Sequence, residues 1–313
     1  MNTQSHIIAI LGTGVWGSAL GKIVRGNGHD VRFWSYRGDT PLSSVVQDAA
    51  IIVSAVSMKG VIPTAQKLQA LNLSASKIIV TATKGLDLET TRTPSQIWQS
   101  MFPNNQVVVL SGPNLSQEIV QGLPAATVLA SNNPIAAKKV QSIFASDTFR
   151  AYVNKDPIGT ELGGTIKNVI AIASGVCDGM KLGTNAKAAL LTRALPEMIS
   201  IGTHLGASAE TFFGLSGLGD LIATCDSPLS RNYQVGYGLA HGKTLSAILA
   251  DLKGTAEGIN TTNALVKIAD LETLSVPIAR QVQRLLHGKI APQEAIQALM
   301  ERELKPEFCD LDF

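Results

Sequence analysis

The first half of the chain alternates short apolar runs with segments of helical spacing. An apolar run at Ile7–Leu11 precedes an amphipathic stretch that reaches about Arg25, and Asp30–Tyr36 then alternates as a strand does. Further strand-like runs lie at residues 51–55, 77–82, 106–111 and 126–130, with helical spacing at residues 60–71 and 93–101. Strands that alternate with helices predict a mostly parallel α/β sheet.

After about Asp156 the pattern changes to one helix after another. Segments of helical spacing lie at residues 161–175, 185–205, 231–241, 244–252, 258–272, 277–287 and 292–302. The change predicts two domains, a sheet domain over residues 1–157 and an all-α domain over residues 158–313. Ligands usually bind in the clefts that such domains form.

Composition narrows the class of protein. The 313 residues are 45% hydrophobic and 16% charged, which excludes intrinsic disorder, and a formal charge of +2 argues against nucleic acid as the main partner. The three cysteines and five histidines show no metal-ligand spacing, so we expect no bound metal. The chain shows neither a signal peptide nor an uncharged apolar stretch of about 18 residues, which predicts a cytoplasmic protein without a membrane span.

A glycine-rich turn follows the first strand. Gly12, Gly14 and Gly17 form the pattern G-x-G-x-x-G between a strand and a helix. The first glycine permits a tight turn, the second lets the backbone approach a pyrophosphate, and the third allows close packing of helix and strand. The helix N-terminus then faces the anion. The motif predicts a Rossmann-type domain with a dinucleotide site; the alternative is a purely structural turn.

The end of the second strand bears on the choice of cofactor. NAD-binding domains usually place an Asp or Glu there to hold the ribose 2′-hydroxyl. This chain has Ser35, Tyr36 and Arg37 at that point, and Asp39 comes a little late. Because an arginine can meet a 2′-phosphate, NADPH is favoured or tolerated; the alternative makes Arg37 an ordinary exposed cation.

Polar residues follow two later strands of the predicted sheet. Lys84 comes just after the strand at 77–82, at the edge where open α/β sheets bind ligands. The segment Ser111–Ser116 ends another strand and starts a helix, with Pro113 expected near its first position. Free amides at such a helix start suit a phosphate or a carbonyl oxygen. The alternatives are a solvated lysine and a plain turn.

A lysine lies on the first helix of the second half. Lys167 stands beside an apolar stripe, and Gly163, Gly164 and Ala171 are expected to leave an open groove next to its amine. Desolvation there would lower the pKa of an amine toward the range useful for proton transfer. The alternative is a lysine whose amine reaches solvent from the helix flank.

A last polar cluster follows a glycine-rich turn. Asp220 comes directly after that turn, and Thr224 shares its face if the segment is helical. Ser230 is expected to cap the next helix, which would place Arg231 and nearby amides around a bound anion. The alternative role for Asp220 is an ordinary N-cap.

Together these segments resemble the NAD(P)-dependent glycerol-3-phosphate dehydrogenase family in its bacterial form. The matching stretches lie at residues 12–17, 82–86, 111–119, 158–180, 214–225, 230–232 and 256–261, and they cover nearly the whole chain in the right order. The resemblance implies an enzyme that reversibly reduces dihydroxyacetone phosphate to sn-glycerol 3-phosphate with NAD or NADP. Such an enzyme supplies the backbone of glycerophospholipids.

The resemblance also implies roles for single residues. It makes Lys167 the catalytic acid/base, and Asn168, Asp220 and Thr224 orient that lysine and the substrate. Lys84 is also implied among the catalytic residues. Substrate contacts are implied at Lys84, Gly112, Asn114, Lys167, Asp220, Ser230, Arg231 and Asn232, of which the last three surround the phosphate. Cofactor contacts are implied at Gly12, Gly14, Val15, Trp16, Gly17, Arg37, Lys84, Ser116, Arg231, Thr255 and Glu257.

The chain departs from the family in one segment. Residues 38–47 replace a longer stretch after the second strand, close to the adenosine end of the cofactor, and so bear on Arg37 rather than on Lys167. The alternatives are another two-domain reductase, of the 3-hydroxyisobutyrate or ketopantoate type, and a dinucleotide-sensing protein without turnover. The hydrophobic helical half is compatible with a homodimer.

Overall fold

The computed structural model describes residues 5–304, 306 and 307 of the chain, which form two compact units. The first comprises the described residues up to Lys84 together with Arg92–Glu161. The second comprises Gly85–Thr91 together with the described residues from Leu162 onward. The segment 85–91 therefore packs with the second unit, although it lies within the range expected for the first domain.

A seven-stranded sheet forms the centre of the first unit. Its strands are β1 (Ile7–Leu11), β2 (Asp30–Trp34), β3 (Ile51–Ser54), β4 (Ile78–Thr81), β5 (Gln106–Ser111), β6 (Ala125–Ala130) and β7 (Phe149–Asn154). They lie in the order β2-β1-β3-β4-β5-β6-β7, and only the pair β5 and β6 is antiparallel. The expectation of a mostly parallel, Rossmann-type sheet is confirmed.

Six helices accompany the sheet in the first unit. They are α1 (Val15–Gly26), α2 (Leu42–Val46), α3 (Met58–Gln69), α4 (Pro94–Met101), α5 (Ser116–Val120) and α6 (Pro134–Phe144). Ile8 and Ile10 of β1 pack in one core with residues of α1 and α6, whereas Ala9 and Leu11 pack in another with residues of α2, α3 and α4. Alternate side chains of a strand point to opposite faces, and both faces of the sheet are covered at its centre, so the central strands β1, β3 and β4 are almost wholly apolar.

The second unit is built from helices in the part that the structure describes. They are α7 (Pro157–Gly179, in this unit from Leu162), α8 (Gly183–His204), α9 (Asp220–Cys225), α10 (Arg231–Ala240), α11 (Leu245–Asp251), α12 (Glu257–Glu272), α13 (Pro277–Leu286) and α14 (Pro292–Met300). A 3₁₀ turn at Ala209–Phe213 and a π-helical turn at Leu215–Gly219 lead into α9. The expected all-α composition is therefore found from Pro157 onward.

Helices α7 and α10 touch backbone to backbone. A Cβ atom added to Gly175 would lie 2.0 Å from the carbonyl oxygen of Tyr233, and one added to Gly236 would lie 1.8 Å from that of Ile172. The two helices approach this closely because neither crossing residue carries a side chain. The crossing sets the spacing between Lys167 and Asn168 on α7 and the first residues of α10.

Two buried carboxylates hold helix N-termini. Glu161 accepts hydrogen bonds from the backbone N–H of Ser95 (3.0 and 3.2 Å) and from its hydroxyl (2.5 Å), at the start of α4. Glu197 of α8 accepts from the backbone N–H groups of Ile278 and Ala279, both at 2.9 Å, at the start of α13. Burial raises the pKa of each carboxyl to about 7, despite these hydrogen bonds.

Two sequence expectations concern cysteines and membranes. Cys177 and Cys225 are buried thiols without a disulfide, and Cys309 lies outside the described residues. In the described part of the chain, no helix has the length and apolar character needed to cross a bilayer.

Candidate active site

The glycine turn between β1 and α1 is built for close backbone contact. Gly12 has a φ of +112°, and a Cβ there would lie 2.6 Å from the carbonyl oxygen of Ala55. A Cβ at Gly17 would lie 2.0 Å from the carbonyl oxygen of Gly12. Any side chain at either position would therefore force the turn apart.

The same turn is open on the side of Gly14 and the first residues of α1. Apart from Gly14 and its two chain neighbours, no atom of the described residues lies within 4 Å of a Cβ placed on Gly14, and no side chain caps the first amides of α1. Val15, the first residue of the helix, is 63% exposed. Open N-terminal amides beside a glycine suit the pyrophosphate of a dinucleotide, so the residues present fit that cofactor.

Two side chains tie the turns at the carboxyl edge of the sheet together. The indole Nε1 of Trp16 donates a hydrogen bond to the carbonyl oxygen of Ala82, which follows β4 (3.0 Å). The Nζ of Lys84 donates to the carbonyl oxygen of Gly112, which follows β5 (3.2 Å). The structure thus brings Lys84 and Gly112 together as the sequence placed them, on adjacent strand ends.

The turn after β5 differs from the expectation. Helix α5 begins at Ser116 and has only five residues, so the prediction that Pro113 lies near its first position is wrong. Asn114 explains the difference, because its Nδ2 donates to the carbonyl oxygen of Ala126 (2.9 Å) and its Oδ1 accepts from the hydroxyl of Thr127 (3.0 Å). These bonds hold the turn against β6 and outside the helix.

Arg37 is exposed shortly after β2. Its neighbour Tyr36 is 59% exposed, its ring meets Trp34 edge-on, and the Nζ of Lys67 lies 4.9 Å from its centroid. The short segment 38–47 that follows contains α2. Two cations therefore lie near Tyr36, and Asp39 is exposed close by.

Lys167 is buried in an ion pair. Its Nζ lies 3.0 Å from Oδ1 of Asp220, and it donates a hydrogen bond to the hydroxyl of Thr224. That hydroxyl donates to the same Asp220 oxygen at 3.1 Å. The three residues are 2–5% exposed, so the amine does not extend into solvent. Asp220 and Thr224 share one face of α9, as their spacing predicts.

The expected open groove beside Lys167 is filled on one side. A Cβ at Gly163 would lie 2.7 Å from the carbonyl oxygen of Ser216, so the π-helical turn occupies the space that this glycine leaves. The expectation of an open groove is therefore wrong at Gly163. Ser216 and Gly217 were not predicted as packing partners of α7, although the glycine-rich run before Asp220 is a signal for such close approach. This contact brings α9 against the lysine.

Two asparagines connect three helices. Asn232 of α10 donates from Nδ2 to Oδ1 of Asn168 on α7, and its Oδ1 accepts from the backbone N–H of Gly258 on α12, both at 2.9 Å. A Cβ at Gly258 would lie 2.7 Å from the carbonyl oxygen of Asn168. The predicted residues Asn168 and Asn232 are thus brought together and fixed by each other.

The start of α10 carries the predicted anion-binding residues. Ser230 caps the helix as expected, since its hydroxyl accepts from the backbone N–H of Tyr233 (3.3 Å). Arg231 is exposed, and its guanidinium lies against Gly254, which has a φ of +103°. Thr255 is exposed and Glu257 is half-buried just beyond that glycine. Among the described residues, no group of three or more His, Cys, Asp or Glu is placed to hold a metal ion.

Comparison with known proteins decides the family. The model for the NAD-dependent glycerol-3-phosphate dehydrogenase C-terminus matches residues 156–297, and the model for its N-terminus matches residues 7–41 and 37–137. The chain belongs to the NAD-dependent glycerol-3-phosphate dehydrogenase family. It is accordingly an oxidoreductase that uses NAD or NADP.

Individual relatives agree with this family. A glycerol-3-phosphate dehydrogenase (NAD(P)+) of Acaryochloris marina is 66% identical over 97% of this chain and 98% of its own length. One from Synechocystis is 60% identical over 97% of this chain and 96% of its own. The crystal structure of glycerol-3-phosphate dehydrogenase from Coxiella burnetii superimposes with a TM-score of 0.91 at 34% identity and covers 95% of this chain and 99% of that one. The alternative that the chain is a 3-hydroxyisobutyrate or ketopantoate reductase is therefore not favoured.

Proposed function

We propose that this chain catalyses the reversible reduction of dihydroxyacetone phosphate to sn-glycerol 3-phosphate with NADH or NADPH. The observation that carries the proposal is the buried amine of Lys167, held by Asp220 and Thr224. A cation is needed where a carbonyl oxygen becomes negative, and this amine can both stabilise that charge and supply a proton.

Each side chain of the site has a defined task in this reaction. When bound, the reduced dinucleotide supplies the hydride that reaches the carbonyl carbon. The Nζ of Lys167 donates a proton to the carbonyl oxygen, and in the reverse direction the neutral amine accepts the hydroxyl proton. Asp220 stabilises the ammonium form, while the Thr224 hydroxyl fixes the direction of one of its N–H bonds.

Binding falls to residues outside this trio. Arg231, with Ser230 and Asn232 beside it, binds the substrate phosphate, because a guanidinium matches phosphate oxygens with two parallel hydrogen bonds. Lys84, Gly112 and Asn114 complete the substrate pocket. The expected contacts of the dinucleotide are, in the first unit, Gly12, Gly14, Val15, Trp16, Gly17, Arg37, Lys84 and Ser116, and, in the second, Arg231, Thr255 and Glu257.

The first test is turnover of the wild-type chain and of Lys167→Met. The wild type should oxidise NADH or NADPH only when dihydroxyacetone phosphate is present. Lys167→Met should lower kcat about a thousandfold, within the range known for loss of a general acid, and leave the Kd for the dinucleotide nearly unchanged. Absorbance of the reduced nicotinamide gives the rate, and fluorescence titration gives the Kd. The exposed Lys289 provides the matched control, since Lys289→Met should keep wild-type rates.

The same assay separates the alternatives. Turnover with a 3-hydroxy or 2-keto carboxylate and none with dihydroxyacetone phosphate would assign the chain to a different reductase class. Dinucleotide binding without turnover on any of these substrates would indicate a sensor. Either result would overturn the proposal.

The physiological setting forms the outer part of the proposal. The product carries the three-carbon backbone of glycerophospholipids, so the reaction would supply lipid synthesis in the cytoplasm. We further propose a homodimer, supported by apolar side chains that the helical unit exposes, such as Leu271 (72% exposed) and Met300 (78% exposed). Sedimentation analysis gives the oligomeric state.

A further inference from the structure

A second cluster of charged side chains lies further along α7 from Lys167. The Nζ of Lys187 on α8 lies 2.8 Å from Oδ2 of Asp178 on α7 and 3.0 Å from Oδ1 of Asp226, the residue that follows α9. The hydroxyl of Tyr233 on α10 donates to the same Asp178 oxygen at 2.8 Å. None of these four residues has a role in the chemistry described above.

Lys187 is a permanent cation in this cluster. Burial acts to lower its pKa, but the hydrogen bonds and charges of Asp178 and Asp226 outweigh burial and raise the pKa to about 12. Its side chain is 16% exposed, whereas that of Asp226 is 78% exposed. Because the Asp226 carboxylate lies mostly in solvent, its pair with Lys187 contributes little to the stability of the whole chain, and its effect is expected to be local.

The pair of Lys187 and Asp226 fixes the position of α9. This helix has six residues and depends on contacts with its neighbours, because so short a helix is not stable by itself. The side chains of Asp220 and Thr224, which belong to this helix, contact Lys167. At its C-terminal end, the carbonyl oxygen of Cys225 accepts a hydrogen bond from the buried hydroxyl of Ser174 (2.8 Å), and Asp226 is held by Lys187.

Both contacts that hold the C-terminal end of α9 connect it to α7. Ser174 belongs to α7, and Lys187 reaches α7 through Asp178. The cation also lies next to the carboxyl end of α9, where positive charge is favourable. The helix that carries Lys167 therefore also fixes the far end of the helix that carries its two partners.

We propose that Lys187 is a positioning residue for proton transfer: by bridging Asp178 and Asp226 it holds α9 so that Asp220 and Thr224 stay in contact with the Lys167 ammonium. The inference rests on the proposed function, because it concerns the proton that Lys167 delivers. Lys187 pairs with Asp178 and Asp226, so its proposed effect on Lys167 passes through α9.

The test compares Lys187→Met with Asp226→Asn, Lys187→Arg and the wild type. Lys187→Met and Asp226→Asn should each lower kcat about tenfold, the scale of a slightly misplaced catalytic group, with KM values for both substrates within about twofold of wild type. Lys187→Arg keeps a cation that can bridge two carboxylates and should restore most of the rate. The double variant should be no slower than Lys187→Met, because Asp226 acts through Lys187.

A pH profile separates positioning from loss of structure. When Asp220 is held less firmly against Lys167, the ammonium form loses part of its stabilisation. The alkaline fall of kcat for reduction should then move to lower pH. Loss of folded protein would lower the rate equally at every pH. Because Asp226 is exposed, Asp226→Asn should fold even if Lys187→Met does not.

The control is Lys243→Met, which removes an exposed cation paired with Asp251 at 3.2 Å in the same unit. Rates for Lys187→Met and Asp226→Asn that match this control would overturn the inference, as would a lower kcat with an unchanged pH profile. A wild-type chain without turnover on dihydroxyacetone phosphate would instead refute the proposed function, and the inference with it.

Discussion

Consecutive residues at the start of α10 have opposite environments. Arg231 is exposed beside Gly254, whereas Asn232 is buried and bonded to Asn168 and Gly258. Neighbouring helical residues point about 100° apart, so only one of them can face inward. Sequence analysis predicted that both belong to the site, but it could not tell which one faces inward, because both side chains are polar. The contacts of Asn232 indicate a mainly positioning role, and Arg231 presents its charge outward.

Arg231→Ala should weaken recognition of the substrate phosphate. Removing a charge-assisted contact of this kind should raise KM for dihydroxyacetone phosphate about thirtyfold, and kcat should fall by a smaller factor. Steady-state kinetics with the phosphate ester gives both values. Lys at this position keeps the charge but not the planar fork, so Arg231→Lys should recover only part of the loss.

Unphosphorylated dihydroxyacetone provides the control for Arg231. Its weak turnover lacks the phosphate contact and should be similar in the wild type and in Arg231→Ala. Equal losses with both ketones would show that Arg231 acts on something other than the phosphate.

At the scale of elements, the apolar pattern predicts the buried strands and the edge strand β2 but misses the other edge strand, β7. The predicted bounds of β1 and β5 are confirmed, because these strands are buried on both faces. Strand β7 was not predicted. It pairs only with β6, and of its six residues only Phe149 and Ala151 are buried, so its apolar signal is weak. Helices α2 and α6 were also not predicted.

The turn that leads into α9 shows a different limit of sequence analysis. The glycine-rich segment before Asp220 was interpreted as a turn, and it is a π-helical turn that packs against Gly163 and Phe212. Its conformation depends on partners distant in the sequence, which no local pattern contains. The cluster of Asp178, Lys187 and Asp226 went unnoticed for the same reason, since its members come from three separate elements.

The burial of Glu161 should make the stability of the chain depend on pH. Burial raises the folded-state pKa of Glu161 from 4.5 to about 7, so the folded chain binds a proton that the unfolded chain releases between these pH values. The wild type should therefore lose roughly 3 kcal/mol of stability relative to Glu161→Gln as the pH rises from 4.5 to 7. Thermal unfolding of both proteins across this range gives the difference in Tm.

A companion variant checks the cause. Glu197 has the same direction of shift from the same cause, so Glu197→Gln should gain on the wild type over the same pH interval. A Tm difference that stays constant from pH 4.5 to 7.5 for Glu161→Gln would contradict the role of burial.

At the scale of the whole molecule, the order of motifs along the chain predicted a sheet unit with a dinucleotide turn followed by a helical unit with the reactive lysine. In the described structure, each unit forms its own cluster of polar contacts. The first binds its turns together through Trp16 and Lys84, and the second surrounds Lys167 with Asp220 and Thr224. The motifs were predictable because each is local, whereas the contacts between them depend on packing.

The preference for NADH or NADPH is a property of the whole enzyme, because this preference decides which of the two reduced cofactors the reaction consumes. Arg37→Ser should lower kcat/KM for NADPH about tenfold, through loss of a charged contact to the 2′-phosphate, and change that for NADH by less than about twofold. Initial rates with both cofactors give the ratio. Lys67→Met serves as a comparison, since its amine lies over the ring of Tyr36. An equal loss with both cofactors would remove Arg37 from any role in discrimination.

The crossing of α7 and α10 at Gly175 and Gly236 has a consequence for how the chain can evolve. A Cβ atom at either glycine would overlap a backbone carbonyl oxygen of the other helix, so any larger residue there would push the two helices apart. Adaptation to a bulkier ketone would have to proceed through the connecting segments around the site. In such a lineage we expect the crossing of α7 and α10 to stay unchanged while the substrate specificity changes.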